Sequence, residues 1–322
     1  MNFKKFSTIL AVSLTLAAPA FAGPIDRPEC IAPAKPGGGF DLTCRVAQSG
    51  LKAQMEKPIQ VTFMPGGVGA VAINLFNTTR TDDDNAIVAF SSGSLLNMAT
   101  GKYGEWKESD VRFLASVGAD FGAIVVPEDS RFKSLDDLMA AAEKDLKSIV
   151  VGAGGSIGSQ DWMKAALLLG SRQLSPRDMR YVAFDGGGES IAALLGGSIE
   201  VYMGDVGELV SHVGEGKLRI LAVMSPERIG APFADIPTAI ELGYDAEWTI
   251  LRGFYMGKNV SDEAYNAWVE AFEAAYETEE FATIQKEKGL LPLNMAGAEL
   301  NASILERVAK MRDIARGAGL ID

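Results

Sequence analysis

A chain of 322 residues with 42 acidic and 30 basic side chains, one histidine and a formal charge of −12 is long enough for two domains with cores of their own. Its acidity argues against nucleic acid or an anionic membrane as partner, and one histidine with two cysteines excludes a transition-metal cluster of the usual Cys/His kind. Beyond the N-terminus no stretch approaches about 18 uninterrupted apolar residues, so no membrane span is expected.

Residues 1–22 carry Lys4 and Lys5, an apolar run and the small-x-small ending Ala20-Phe21-Ala22. The pattern predicts a cleaved secretory signal and an exported, periplasmic protein. Cys30 lies too far past Ala22 for a lipid anchor at the new N-terminus. In an oxidising compartment Cys30 and Cys44 can pair, closing a loop of about 15 residues for about 3 kcal/mol. A strand start and a helix turn can also hold two Cα atoms more than about 7 Å apart, which leaves two packed thiols equally open.

Residues 31–34 read as a short strand that runs into KPGGGFDLTCR (35–45). Its glycines leave backbone N–H groups bare, and a helix starting at Asp41 or Leu42 adds unpaired first-turn donors and a positive dipole end, a combination that suits an anion. Leu42, Val46, Ala47, Gly50, Leu51 and Met55 form one helical face, ended by Pro58. The unit repeats: strand 59–64, the turn PGGVG (65–69), then the helix AVAINLFNTT. After Asp82, Asp83 and Asp84, strand 86–90 enters Ser91-Ser92-Gly93-Ser94, followed by an irregular segment around Trp106. Strand 121–127 and a helix opening at Ser134 come next, and the pattern puts a domain boundary near residue 125. Strand 148–153 meets loop 154–159 and a helix through Trp162 and Leu169; strand 179–184 meets loop 185–190; further strands end at Asp205 and Ser225. PTAIELGY (237–244) is expected as a helix, GFYMG as a strand, and 263–277, 281–288 and 298–315 as helices packed back on the first domain. The alternation predicts an α/β protein with mainly parallel sheets flanked by helices and ligands at the carboxyl ends of the strands.

Gly67-x-Gly69-x-x-Ala72 partly matches a dinucleotide fingerprint but lacks an acidic residue after the next strand, where Phe90 and Ser91 stand. Gly154-Gly155-Ser156-Ile157-Gly158 has the G-x-S-x-G form of a hydrolase elbow. His212 follows with Asp178, Asp185 and Asp205 between, so a secreted serine hydrolase using Ser156 and His212 is the rival from another class. His212 falls in a helical pattern rather than a glycine-rich loop and is expected as a surface residue. Asp41 is expected to cap its own backbone; Arg252 either faces a carboxylate bidentately or forms a structural ion pair. Many neutral donor loops with little acid/base equipment favour a receptor over an enzyme, with no catalytic residues, cofactor or metal.

PGGGFD, PGGVGAVAIN, GSIGSQDW, YVAFDGGGES followed by LLGG, GKLRILAVMSPER and IPTAIELGY, in that order, resemble the periplasmic solute-binding proteins of tripartite tricarboxylate transporters, the Bug or TctC family. ECIAPAKPGGGFDLTCR, GGSIGSQDWMKAALL and RGFYMG are closest to its TctC branch. The resemblance implies a two-lobed type II periplasmic-binding-protein fold with the ligand cleft between lobes, lobe 1 being 23–125 plus 248–322 and lobe 2 being 126–247. It implies a monomeric receptor that binds a citrate-like tricarboxylate and delivers it to membrane permease subunits, with a dicarboxylate or aromatic acid as alternative ligand and a sensor kinase as an alternative recipient. Carried onto this chain, the ligand-binding positions are Gly38, Gly39, Phe40 and Asp41; Gly66, Gly67, Val68 and Gly69; Ser91, Gly93 and Ser94; Ser156 and Ser159; Gly187 and Gly188; and Asp205. Where many relatives have a histidine after the middle-lobe Gly-Ser, this chain has Asp161-Trp162.

Overall fold

Strand, loop and helix alternate from the first described residues of the computed structural model, which describes residues 24–212, 214–317 and 321. The expected signal segment lies outside them. In chain order the elements are β1 (Glu29–Ala32), α1 (Gly39–Gly50), β2 (Gln60–Phe63), α2 (Ala70–Thr78), β3 (Ala86–Ser91), α3 (Ser92–Ala99) and β4 (Val111–Pro127). Then come α4 (Leu135–Asp145), β5 (Val150–Gly154), α5 (Gln160–Gly170), β6 (Arg180–Phe184), α6 (Gly187–Leu195), β7 (Val201–Asp205), α7 (Val206–Leu209) and β8 (Leu218–Val223). The chain closes with β9 (Thr249–Gly257), α8 (Asp262–Tyr276), α9 (Glu279–Glu287) and α10 (Gly297–Gly317).

The strands lie in the order β2-β1-β3-β9-β4-β7-β5-β6, with β8 also on β4. β1 is parallel to β2 and β3, and β5 to β6 and β7, as the alternating pattern predicts. Between these two parallel groups, β9 and β4 run antiparallel to their neighbours. β4 belongs to both halves: Val111 to Phe121 pair with β9, whereas Gly122 to Pro127 pair with β7 and β8. One continuous strand thus carries the chain from lobe to lobe, and each parallel group aims its carboxyl-end loops at the other.

Three departures from the sequence pattern have local causes. β4 begins ten residues before the apolar run 121–127, because its first part, VRFLASVGAD, is buried on both faces and interrupts its apolar residues with Ser, Gly and Asp rather than alternating. Residues 92–99 are helical, started by Ser91, whose hydroxyl accepts from Gly93 N–H while Ser94 Oγ accepts from Ser91 N–H. Residues 237–244 form turns instead of a helix. Thr238 is bridged to Val223, its hydroxyl caps Glu241 N–H, and Gly243 at φ +83° ends the turn.

Apolar side chains fill both faces of the first half: Val46, Trp268, Phe272 and Phe281 on one side, Phe76, Phe90, Leu300 and Ile304 on the other. A separate core in the second half includes Val125, Leu135, Leu168, Ile191 and Tyr202. Each fully buried large apolar side chain contributes about 1.5 to 3 kcal/mol, so the sheets are fixed from both sides and the loops between them are left to bind. Cys30 and Cys44 are joined. Helix α1 packs directly over β1 and brings their Cα atoms to 5.7 Å, inside the range a disulfide needs.

Candidate functional site

The amino ends of α1, α3, α5 and α6 converge where the two halves of the sheet meet, around a cavity of about 50 Å³. From the first half its wall takes Gly38, Gly39, Phe40, Val68, Ser91, Gly93 and Asn97; from the second it takes Gly154, Ser159, Gln160, Asp161, Gly187, Asp205 and Glu208. Arg252 of β9 completes it. A wider recess of about 430 Å³ shares Val68, Asn97 and Ser159 with the cavity and adds Gly67, Lys102, Ser156 and Asp185. The two together form one cleft.

Among the described residues, six hydrogen bonds cross it. Lys35 Nζ donates to Glu189 Oε1 at 2.7 Å, Lys102 Nζ to the Ile157 carbonyl at 2.9 Å, and Val68 N–H to Asp185 Oδ1 at 3.3 Å. Deeper in, Gly39 N–H donates to Glu208 Oε1 at 2.6 Å, Gly207 N–H to Asp120 Oδ1 at 3.0 Å, and Arg252 Nη2 to Asp205 Oδ2 at 2.6 Å. The loops meet through glycine: a Cβ on Gly188 would lie 2.2 Å from the Pro36 carbonyl oxygen, and one on Gly39 would lie 2.2 Å from Arg252 Nη1. Only a hydrogen fits at either position.

The floor is a buried ionic network. Arg252, 1% exposed, donates through Nε and Nη2 to Asp120 Oδ2 at 2.8 and 2.6 Å as well as to Asp205. Its Nη1 makes no hydrogen bond among the described residues and lies against Gly39 at the cavity wall. Lys164, fully buried, donates to the Gly204 carbonyl at 2.7 Å and bridges Asp161 and Asp205. Burial lowers Lys164, but Asp161 and Asp205 outweigh it and hold the ammonium above its ordinary value. Burial pushes Asp205 up, yet Lys164 and Arg252 keep it below the usual carboxylate range. Asp120 and Asp161 are raised by burial, each further by Asp205 and only partly offset by its cation.

Glu208 occupies a distinct position. Its Oε2 accepts from the Tyr202 hydroxyl and from Asp205 N–H, and its Oε1 accepts from Gly39 N–H. Burial first, then the neighbouring Asp205, push its carboxyl up to about 8. A Cβ on Gly187 would fall within 2.2 to 2.4 Å of that carboxyl, so the amino ends of α1 and α6 both close on it.

Of the positions inferred from sequence, Gly38, Gly39, Phe40, Val68, Ser91, Gly93, Ser159, Gly187 and Asp205 line the cavity, and Gly67 and Ser156 the outer recess. Asp41 turns aside to accept from Gly37 N–H at 2.9 Å and to pair with Arg45. Gly66, Gly69, Ser94 and Gly188 reach neither wall; Ser94 serves the cap of α3, and Gly188, in the first turn of α6, packs on the Pro36 carbonyl. Asn97, Gln160, Lys164 and Glu208 are site residues that the sequence reading passed over, and Asp161, singled out there only as a departure from the family pattern, lines the cavity. The spacings Asp161-x-x-Lys164 and Asp205-x-x-Glu208, both at helix starts, were the available signal. Gln160, 7% exposed, keeps its Oε1 buried with no hydrogen-bond partner among the described residues.

Ser156 and His212 do not form a catalytic pair. Ser156 is exposed at the outer recess, whereas His212 lies 3.6 Å from Glu215 and lines a different hollow with Glu128, Leu209 and Phe233.

Residues 43–320 match the family model described as tripartite tricarboxylate transporter family receptor, TctC. Protein BugT of Bordetella pertussis is 26% identical over 252 residues, covering 76% of each chain. Among solved structures, MatC of Rhodopseudomonas palustris with bound malate has a TM-score of 0.76 at 18% identity, covering 89% of this chain and 98% of that one. Rpa4515 of R. palustris with adipate has a TM-score of 0.80 at 16% identity, covering 91% and 97%. The periplasmic binding protein BugD shares the fold as well, with a TM-score of 0.79 at 18% identity, covering 92% of this chain and 98% of that one. With a family model spanning most of its length, this chain belongs to the TctC family of tripartite tricarboxylate transporter receptors.

Proposed function

We propose that the protein is a periplasmic receptor that captures a small dicarboxylate in the interlobe cleft and hands it, as a monomer without cofactor or catalysis, to membrane permease subunits. The observation that carries this reading is Arg252: a buried guanidinium with Nη1 uncommitted at a cavity where the amino ends of four helices meet. A carboxylate there would gain charge-assisted hydrogen bonds and favourable helix dipoles. The unpaired amide of Gln160, with Asn97 beside it, suits a second polar group of the ligand.

The number of charges is argued from the floor. Among the described residues of the floor, Asp120, Asp161 and Asp205 stand against Lys164 and Arg252, and Glu208 is a fourth carboxyl that burial and Asp205 keep from ionising below about 8, so each added ligand charge meets cations that are already matched. Malate and adipate, held by the two related folds, are both dicarboxylates. A citrate-like tricarboxylate is the second reading, favoured by the family's own description. We assign the N- and C-terminal parts to lobe 1 and the middle to lobe 2, as 23–125 with 248–322 and 126–247 would have it, but core membership, which changes between Val117 and Phe121 on β4 and between Ala246 and Leu251 at β9, supports a first crossing a few residues earlier than 125. Because a ligand touches both lobes only when they close, binding shifts the population toward the closed form.

Titration calorimetry with malate, succinate, adipate, tricarballylate, citrate and an aromatic acid tests the assignment. Dicarboxylates are expected to bind at least about tenfold more tightly than citrate, a difference of ~1.4 kcal/mol. A citrate preference selects the second reading, and silence across the panel sinks the receptor proposal.

A further inference from the structure

The anion cradle that sequence assigns to a ligand is held by one of the protein's own carboxyls. Gly39 N–H, the first donor of α1, is taken by Glu208 Oε1 at 2.6 Å. Gly187, at the start of α6, lies so close to the same carboxyl that a Cβ would collide with it. Glu208 comes from α7 of the opposite half, is 8% exposed, and lines the cavity beside Arg252. It therefore presents to the two helix ends what a bound acid would present: two oxygens in a donor-rich pocket.

We propose that Glu208 is a specificity-determining residue that acts as a tethered competitor, its ionised carboxyl holding the Gly39 N–H position against an incoming carboxylate and its neutral form yielding that position. The inference rests on the receptor reading above for the identity of the ligand, though not for the position of Glu208. The charged and titratable groups around Glu208 come from four elements: Tyr202 and Asp205 on β7, Asp161 and Lys164 on α5, Arg252 on β9 and Asp120 on β4. From α1 and α6 only backbone approaches it; Asp41 turns to Gly37 and Arg45, and Glu189 turns to Lys35 and Asp185 N–H. Burial and the acidic neighbours outweigh Arg252 and hold the carboxyl neutral up to about pH 8. Below that value an acid meets a neutral side chain with a weak grip on Gly39; above it, the acid meets an anion already seated there. The device would admit a carboxylate best in neutral to mildly acidic surroundings and discriminate most strongly against ligands with the most charges.

The test uses the mature full-length protein and E208Q, which keeps shape and an acceptor for Gly39 N–H but cannot ionise. With malate as the probe, calorimetric affinity of the wild type is expected to fall about tenfold between pH 6.5 and 9, the fall that follows when only the neutral fraction is competent. E208Q should vary by less than about twofold over the same range. Parallel pH profiles for the two proteins overturn the competition. Independently of any ligand, the Gly39 amide resonance of the wild type with no acid added should move with a midpoint near pH 8, a movement absent from E208Q. A Gly39 amide indifferent to pH from 6 to 10 overturns the seating of Glu208. If malate binds neither protein, the dicarboxylate reading fails while the amide measurement still decides the role of Glu208.

Discussion

Arg252 on β9 and Asp205 at the end of β7 meet at 2.6 Å with 1% and 8% of their side chains exposed, so two separate cores are stitched by an ion pair that water scarcely reaches. Asp120, on the strand shared by both halves, takes the other edge of the same guanidinium. Truncating Arg252 strands two buried carboxylates. R252A should lose about 3 to 5 kcal/mol of stability, whereas K35A, which removes the solvent-screened Lys35–Glu189 pair at the cleft mouth, should leave the unfolding midpoint nearly unchanged. Urea midpoints at neutral pH check both, and equal losses would contradict the buried-network account.

The disulfide makes a prediction of its own. Cys30 and Cys44 are fully buried and enclose the glycine loop that starts α1. Replacing both by serine should cost about 3 kcal/mol, mostly through a freer unfolded chain. Thermal unfolding with and without reductant reads it: the wild type in reductant should approach the double serine variant, and the variant itself should not respond.

Stability should also depend on pH with a sign set by the cleft carboxyls. Glu208 is raised to about 8 in the folded protein, so between its ordinary value and 8 the folded state holds a proton that the unfolded state has lost. Stability therefore falls as pH rises through that window, with a limiting slope of about 1.4 kcal/mol per unit for the one group, and Asp120 and Asp161, also raised, add slope of the same sign. Asp205, held low by its two cations, contributes above the unfolded carboxylate value and loses that contribution as pH falls through its folded value. Lys164, raised in the folded protein, contributes fully below 10.5 and loses that contribution as pH rises beyond it through the raised folded value. Urea midpoints of wild type and E208Q at pH 5, 6.5 and 8 should diverge in slope, the variant being flatter; identical slopes would remove Glu208 from the account.

How much of this was legible beforehand follows from the kind of signal each residue carries. The parallel groups and the loops at their carboxyl ends were readable because apolar runs end in Gly or Ser clusters at 36–39, 65–69, 91–94, 154–159 and 185–190. The first ten residues of β4 were not, since a strand buried on both faces loses its alternation. α3 was hidden because its cap is built of the same small hydroxyls that mark loops. The Cys30–Cys44 pairing depended on how α1 stacks on β1, a packing fact. Glu208 and Lys164 were missed for a related reason: a carboxylate and an ammonium at helix starts read as solvated until the other half of the molecule covers them.

Close approach of the glycine loops can be tested by a single methyl group. On Gly188 it would collide with the Pro36 carbonyl and crowd Gly37, in the opposite lobe, without touching either core. G188A should leave the unfolding midpoint nearly unchanged, enlarge the radius of gyration seen by X-ray scattering, and weaken the tightest acid by about tenfold or more. Unchanged scattering together with unchanged affinity would mean that this contact plays no part in closure.

The measurement closest to the central claim is a structure of the complex with the acid that calorimetry ranks tightest. One carboxylate should lie within hydrogen-bond distance of Arg252 Nη1, about 2.7 to 2.9 Å, with Gln160 or Asn97 on a second polar group of the ligand and Glu208 neutral or displaced from Gly39. An acid seated wholly in the outer recess by Lys102 and Ser156, with Arg252 untouched, would contradict it.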